Sequence, residues 1–217
     1  MADLKTGKGR CIGSARLLIK PVRAVIELGA LQDVVTSTLN CVHHANRTVR
    51  DDDFIAVALP QMRKGREVMC LGHEIELIGS EVSLSRLEEM EGLVTLRRRG
   101  MIESIEIGET WIDPGTIGAA YVRDRKEAKY TPGWIRRTAA RAERRGKPIG
   151  KRLNPIQAAR GEALALFYGD VVVHVREVVA PIAEGDLMVS TYGFSSAKTP
   201  AVLPVMPNSA RQTSDAA

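Results

Sequence analysis

From Leu31 to Thr48 the apolar residues Leu31, Val34, Val35, Leu39 and Val42 recur at helical spacing, and strand-like segments stand on both sides of them. Upstream, residues 23–28 read as a strand, with a short earlier one at 16–19 and Pro21 interrupting between them. Downstream, Asp51, Asp52 and Asp53 end the helix, and residues 54–59 (FIAVAL) read as a buried strand stopped by Pro60. Residues 73–78 (HEIELI) alternate as the next strand. Ser80 or Ser83 can cap a short helix that carries Leu84, Leu87 and Met90 on one side, and residues 101–107 alternate again. The order of elements is βαββαβ, ending near Gly108.

That order is the ferredoxin-like arrangement, two helices on one face of an antiparallel four-stranded sheet. The chain is therefore expected to be an α+β protein with a ferredoxin-like domain over residues 15–110. A flexible Gly- and Lys-rich extension, 1–14, precedes it. Asp113-Pro114-Gly115 opens a C-terminal α/β region, 111–207. It is expected to hold a basic helix at about 132–146, a helical stretch near 155–166, a strand at 171–175 and a last strand at 186–191. Residues 208–217 have the composition of a disordered tail. Such a fold hosts unrelated functions, so the side chains must decide between them.

Charge is the first discriminator. Between Tyr121 and Arg152 stand twelve Lys or Arg residues against three acids, a local net charge of +9 in a chain whose total is +5. The remainder is thus net negative, and positive charge collected in one segment is the footprint of a polyanion site. Arg137, Arg141, Arg144 and Arg145 stand at i, i+4, i+7 and i+8, so a helix projects them from one face. A solvated surface helix would intersperse acids for i,i+4 pairs, and here only Glu143 does so.

Other classes recede. Aromatic residues make up 4% of the chain, which argues against a single-strand binder built on stacking platforms. The three cysteines, Cys11, Cys41 and Cys70, form no CxxC pair, as expected of a reducing cytoplasm. The first ten residues, MADLKTGKGR, lack the apolar core of a signal peptide, and no apolar run is long enough to span a bilayer. Cys41, His43 and His44 lie close in sequence, but adjacent ring ligands on a helix point in different directions and spacing places no fourth ligand. No cofactor or metal is expected.

Several motifs then agree in order with one family. VHH at 42–44 is followed by IAVALP at 55–60, similar to that family's IGVSFP; residues 71–93 (LGHEIELIGSEVSLSRLEEMEGL) follow its strand-then-helix pattern. RKEAK at 125–129 leads into the arginine helix, residues 171–176 form a hydrophobic-Arg strand, and STYGFSSAKTPAVLPVMP is similar to the family's YGLS motif and hydrophobic close. Over roughly residues 23–207 the chain resembles the CRISPR repeat-processing endoribonucleases of the RAMP superfamily, in the type I-F-like branch that cuts the repeat RNA beside a stem-loop.

The resemblance implies a catalytic histidine on the first helix, and the gapless interval to Pro60 selects His44. Tyr192 matches the tyrosine that holds this histidine in position. Arg125 matches an arginine that reads a guanine edge near the base of the stem. Glu127, Lys129, Arg136, Arg137, Arg141, Arg144 and Arg145, with Ser195 and Lys198 of the terminal motif, are the implied RNA contacts. The chemistry is self-consistent. RNA carries its own nucleophile, the ribose 2′-OH, so an enzyme need only align it, remove its proton and steady the phosphorane-like charge. The products would be a 2′,3′-cyclic phosphate and a 5′-OH, with the hairpin product staying bound. The implied partners are the repeat hairpin, as crRNA, and the other subunits of an effector complex, with a monomer in isolation.

Three positions depart from the pattern. Glu127 stands where a glutamine is usual, and a carboxylate can only accept, which favours a cytosine or adenine amino group. Residues 164–170 (LALFYGD) lack the serines that place the ribose. Val171 occupies the position of the stacking aromatic; Phe167 and Tyr168 are the nearest substitutes, and both are expected in the core. The missing serines motivate an alternative, a non-catalytic subunit that only grips the crRNA hairpin. A DNA-binding regulator using the arginine helix is the third reading, weakened by the absence of helix-turn-helix spacing.

Overall fold

Leu17 and Ile19 are completely buried while Arg16 between the flanking positions reaches solvent, and a strand is the element that sends every second side chain to one face. This strand is the centre of the fold. The computed structural model describes residues 7–49, 52–66, 69–110, 112–124, 132–146, 163–168 and 171–205. In chain order these form β1 (Lys8–Cys11), β2 (Ala15–Pro21), α1 (Arg23–Glu27), α2 (Leu31–Thr48), β3 (Ala56–Ala58), β4 (Arg63–Lys64), β5 (Met69–Cys70) and β6 (Ile75–Gly79). There follow α3 (Glu81–Glu88), α4 (Glu91–Arg98), β7 (Ile102–Glu109), β8 (Ile117–Arg123), α5 (Pro132–Arg144), β9 (Leu164–Tyr168), β10 (Val171–Pro181), β11 (Leu187–Ser190) and β12 (Ser195–Ser196). The protein is a mixed α+β fold with several sheets.

The first four-stranded sheet has the order β3-β6-β2-β7, with every pairing antiparallel. Helices α3 and α4 pack against it, and α2 packs against both of them and against β9. Ser80 caps α3, its hydroxyl accepting from the Ser83 amide at 3.0 Å. Gly92 lets α4 approach α2, since a Cβ there would sit 2.6 Å from the Cys41 sulfur. The second sheet, β12-β8-β10-β9, is antiparallel except that β12 runs parallel to β8. A buried apolar cluster joins Leu17, Val57 and Leu77 of the first sheet to Tyr121, Val173 and Phe194 of the second half. The boundary expected near residue 110 is thus crossed by one core.

Four local expectations are corrected. Residues 23–27 form a helix, not a strand: Arg23 pairs with Glu27 at i,i+4 (2.6 Å), only Val25 is buried, and Leu28 is 84% exposed. The strand lies upstream and ends where Pro21, lacking an N–H, coincides with a register shift. Residues 8–11, placed in a flexible extension, pair with β11 and bury Cys11. The single helix expected after Ser80 is two, broken at Glu89–Met90. Of the helical stretch near 155–166, residues 151–162 lie outside the described residues, and Leu164–Tyr168 is a strand whose Leu164, Leu166 and Tyr168 alternate into the core. The expected tail, 208–217, also lies outside the described residues. Among the described residues no helix is long and apolar enough to cross a membrane.

Residues 201–205 close over β8 through an Ala119–Leu203 bridge, and Gly118 makes that approach possible: a Cβ there would lie 2.3 Å from the Leu203 carbonyl oxygen. Gly118→Ala is expected to cost about 1–3 kcal/mol by overpacking. Gly108→Ala, where a Cβ meets only Arg16 Nε at 3.7 Å, is the matched control and should be close to neutral. Urea denaturation of both variants checks this, and equal midpoints would refute the packing account.

Candidate active site

The C-terminal half of α2 presents Val42 to the core and, on an adjoining face, His43 and Asn46. Asn46 is buried and satisfied on both ends. Its Oδ1 accepts from the Ile55 amide at 2.8 Å, and its Nδ2 donates to the Ile55 carbonyl at 2.9 Å and the Thr191 carbonyl at 3.4 Å. One side chain thereby ties the helix to the start of β3 and to the turn after β11.

That turn is fixed by its backbone. The Gly193 amide donates to Ser190 O, and the Ser190 amide and hydroxyl both donate to Phe194 O. The Val57 amide donates to Gly193 O, which locks the turn against β3. Gly193 has φ +78, and a Cβ there would meet Val57 Cγ2 at 2.5 Å, so glycine is required twice over. Tyr192 is carried at its tip.

The turn delivers Tyr192 onto His43. Their rings stack at 4.4 Å with planes 12° apart. Tyr168, at the end of β9, stands edge-on to Tyr192 at 4.9 Å and 83°, and its hydroxyl donates to the Tyr192 carbonyl at 3.0 Å. Burial, then the neighbouring Tyr192, push the Tyr168 phenol well above its ordinary pKa, so it keeps the proton that it donates. The His43–Tyr168 separation is 6.4 Å, which makes the angle at Tyr192 close to a right angle. Tyr168 therefore sits beside the Tyr192 ring rather than over it. The Arg123 guanidinium also lies over the Tyr192 ring, 5.3 Å from its centroid.

The protonation state of His43 follows from its partner. Its Nδ1 lies 3.3 Å from the Thr191 carbonyl oxygen, and a carbonyl only accepts, so the proton is on Nδ1 and the Nε2 lone pair is left available. Burial lowers the His43 pKa; the Thr191 bond opposes this, and the charges of Arg47 and His44 add to the lowering.

These positions revise the expected site. His43, not His44, meets Tyr192, while His44 is exposed and its carbonyl accepts from Thr48 Oγ1. Successive residues project about 100° apart on a helix, so His43 and His44 cannot both face Tyr192. Cys41 turns to α4, so Cys41, His43 and His44 face three directions. Ser195 is buried and its hydroxyl donates to Tyr121 O at 3.3 Å, which removes it from the expected RNA contacts. Phe167, expected in the core, is 44% exposed because it alternates with buried Leu166 and Tyr168; Val171 is equally exposed. Lys198 is exposed. Arg136, Arg137, Arg141, Arg144 and Arg145 are all exposed, and among the described residues none forms an ion pair with a carboxylate. Arg125, Glu127 and Lys129 lie outside the described residues. Asn46 and Arg123 were not singled out by sequence, and Tyr168 was named only as a substitute stacking aromatic. A polar residue three positions after His43 in the buried stripe of α2 was the one available signal.

A lowered pKa makes the neutral ring the favoured folded form. His43 should thus titrate below the ordinary histidine value of about 6.5. Its contribution to stability is complete above that value and is lost as pH falls through the lowered one. NMR titration of the imidazole resonances, assigned with His43→Gln, checks this; a midpoint above 6.5 would contradict it. A comparison with protein-family models matches none, and a comparison with curated proteins returns no match either.

Proposed function

We propose that the chain is a metal-independent endoribonuclease that binds and cuts a CRISPR repeat stem-loop, leaves a 2′,3′-cyclic phosphate and a 5′-OH, and stays on the hairpin. The observation that carries this reading is the His43–Tyr192 stack with Nδ1 held by the Thr191 carbonyl. It provides a neutral, oriented imidazole whose Nε2 can take a proton. The order β3-β6-β2-β7, with helices packed against it, supports a ferredoxin-like domain over 15–110. The exposed arginines of α5 support a phosphate-lined partner.

The reaction would run as follows. His43 Nε2 accepts the 2′-OH proton, the 2′-oxygen attacks phosphorus in line, and the bond to the 5′-oxygen breaks with that oxygen taking a proton from water. The ribose supplies the nucleophile, so no step calls for a metal hydroxide. Near the open end of a short hairpin the A-form major groove, elsewhere too narrow, admits a helix, and α5 suits that position. In a cytoplasmic setting the product would pass to the other subunits of an effector complex.

One observation favours the alternative, a subunit that holds the crRNA hairpin without cutting it. Ser195, a hydroxyl available to the terminal motif, is committed to Tyr121 O, and no serine precedes β10 in residues 164–170.

End-labelled repeat hairpin, encoded alongside this protein, separates the two when incubated in EDTA. Wild type should cut it and leave a cyclic phosphate. His43→Ala should lose ~10²–10⁴-fold in rate while binding is kept, and His44→Ala should cut normally. Tight binding without cutting by wild type would leave the hairpin-holding subunit. Replacing Arg137, Arg141 and Arg144 together by Gln should reduce the slope of log affinity against log salt by about 2 to 3. An unchanged slope would remove α5 from the interface.

A further inference from the structure

We infer that Arg123 is a second catalytic residue of this site, one that holds a non-bridging oxygen of the scissile phosphate and steadies the charge that builds there as the 2′-oxygen attacks. The inference rests on the nuclease reading above.

Arg123 ends β8, on the same face of the strand as buried Tyr121 and opposite Val175. Tyr121 is satisfied within the fold, its hydroxyl donating to Glu177 at 3.3 Å. Arg123, two residues on, is placed differently. Its guanidinium lies over Tyr192, it is half-buried, and none of the ion pairs among the described residues includes it. Lys20, Arg23 and Arg97, by contrast, are each paired with a glutamate. Arg123 is matched by an aromatic face, which leaves its hydrogen-bonding edge for an anion.

The location is specific. Tyr192 joins the two groups, with the His43 ring stacked on it at 4.4 Å and the guanidinium over the same ring at 5.3 Å from its centroid. A phosphodiester at the rim of that ring needs two hydrogen bonds of about 2.8 Å and an attack distance of about 3 Å between base and guanidinium. The division of labour is then complete: His43 removes the proton, Arg123 takes the phosphate charge, and Tyr192 fixes the distance between them. Charge develops on the non-bridging oxygens only as the new P–O bond forms, so the contact acts more on rate than on affinity.

The test uses the full chain and the repeat hairpin in two forms, cleavable and with a 2′-deoxy ribose at the cut site. Arg123→Gln should slow single-turnover cleavage about 10²–10³-fold and bind the deoxy hairpin within a few-fold of wild type. Arg123→Lys should recover part of the rate. Sulfur in place of one non-bridging oxygen should slow wild type, and that penalty should shrink in Arg123→Gln, a readout that a merely structural arginine would not move. Wild-type rates in Arg123→Gln, a parallel loss of cutting and deoxy-hairpin binding, or an undiminished sulfur penalty would each overturn the inference. Failure of wild type to cut at all would instead overturn the nuclease reading, and this inference with it.

Discussion

The Thr191 carbonyl oxygen is the point on which the rest of the site hangs. It faces His43 Nδ1 and Asn46 Nδ2, so two side chains one helical turn apart are addressed to a single acceptor. Asn46 also saturates both backbone groups of Ile55, and the Gly193 carbonyl receives the Val57 amide. The helix, the edge strand of the first sheet and the turn after β11 are joined by these bonds and cannot move independently. A buried amide left without partners would cost several kilocalories, and this closed set leaves none at Asn46. The arrangement is rigid because it is satisfied.

Rigidity has a chemical consequence. A stacked imidazole whose Nδ1 donates to a carbonyl has one tautomer, and its second nitrogen points where the stack allows. Burial keeps that ring neutral to lower pH than an exposed histidine. Tyr168, protonated and donating to the Tyr192 carbonyl, holds the stacking partner from behind. Preorganisation of this kind lowers the reorganisation needed when charge appears.

Much of the fold was legible in sequence, and the failures have a common form. The bounds of α2, the strands near 75 and 102 and the cap at Ser80 follow from local spacing and local hydrogen bonding. What spacing does not carry is phase relative to a distant partner. His43 and His44 are equivalent until Thr191, 148 residues from His43, chooses between them. Ser195 reads as an available hydroxyl until β12 pairs with β8 and turns it inward. Phe167 and Tyr168 are both aromatic, and only the side of the sheet that carries the core distinguishes them. The misplaced strand at 23–28 is the converse case: apolar composition suggested burial, but Leu28 and Ile26 sit on a short helix whose needs are met by one buried valine and one ion pair.

The separation between charge and long-range packing explains why the basic segment was visible at once and the cluster around Tyr192 was not. Five exposed arginines on and beside α5 need no partner within the chain, so their meaning is local and readable. They would bind ground state and transition state about equally, which sets affinity without setting rate. Under the proposed reading, rate would come from groups whose contacts change during the reaction, and the candidates are drawn from α2, β8, β9 and the turn after β11, brought together only by folding. An acceptor-held histidine, a stacked tyrosine and an arginine with no ion pair among the described residues are individually ordinary. Gathered on one tyrosine ring, they are the arrangement on which the proposed cutting reading rests.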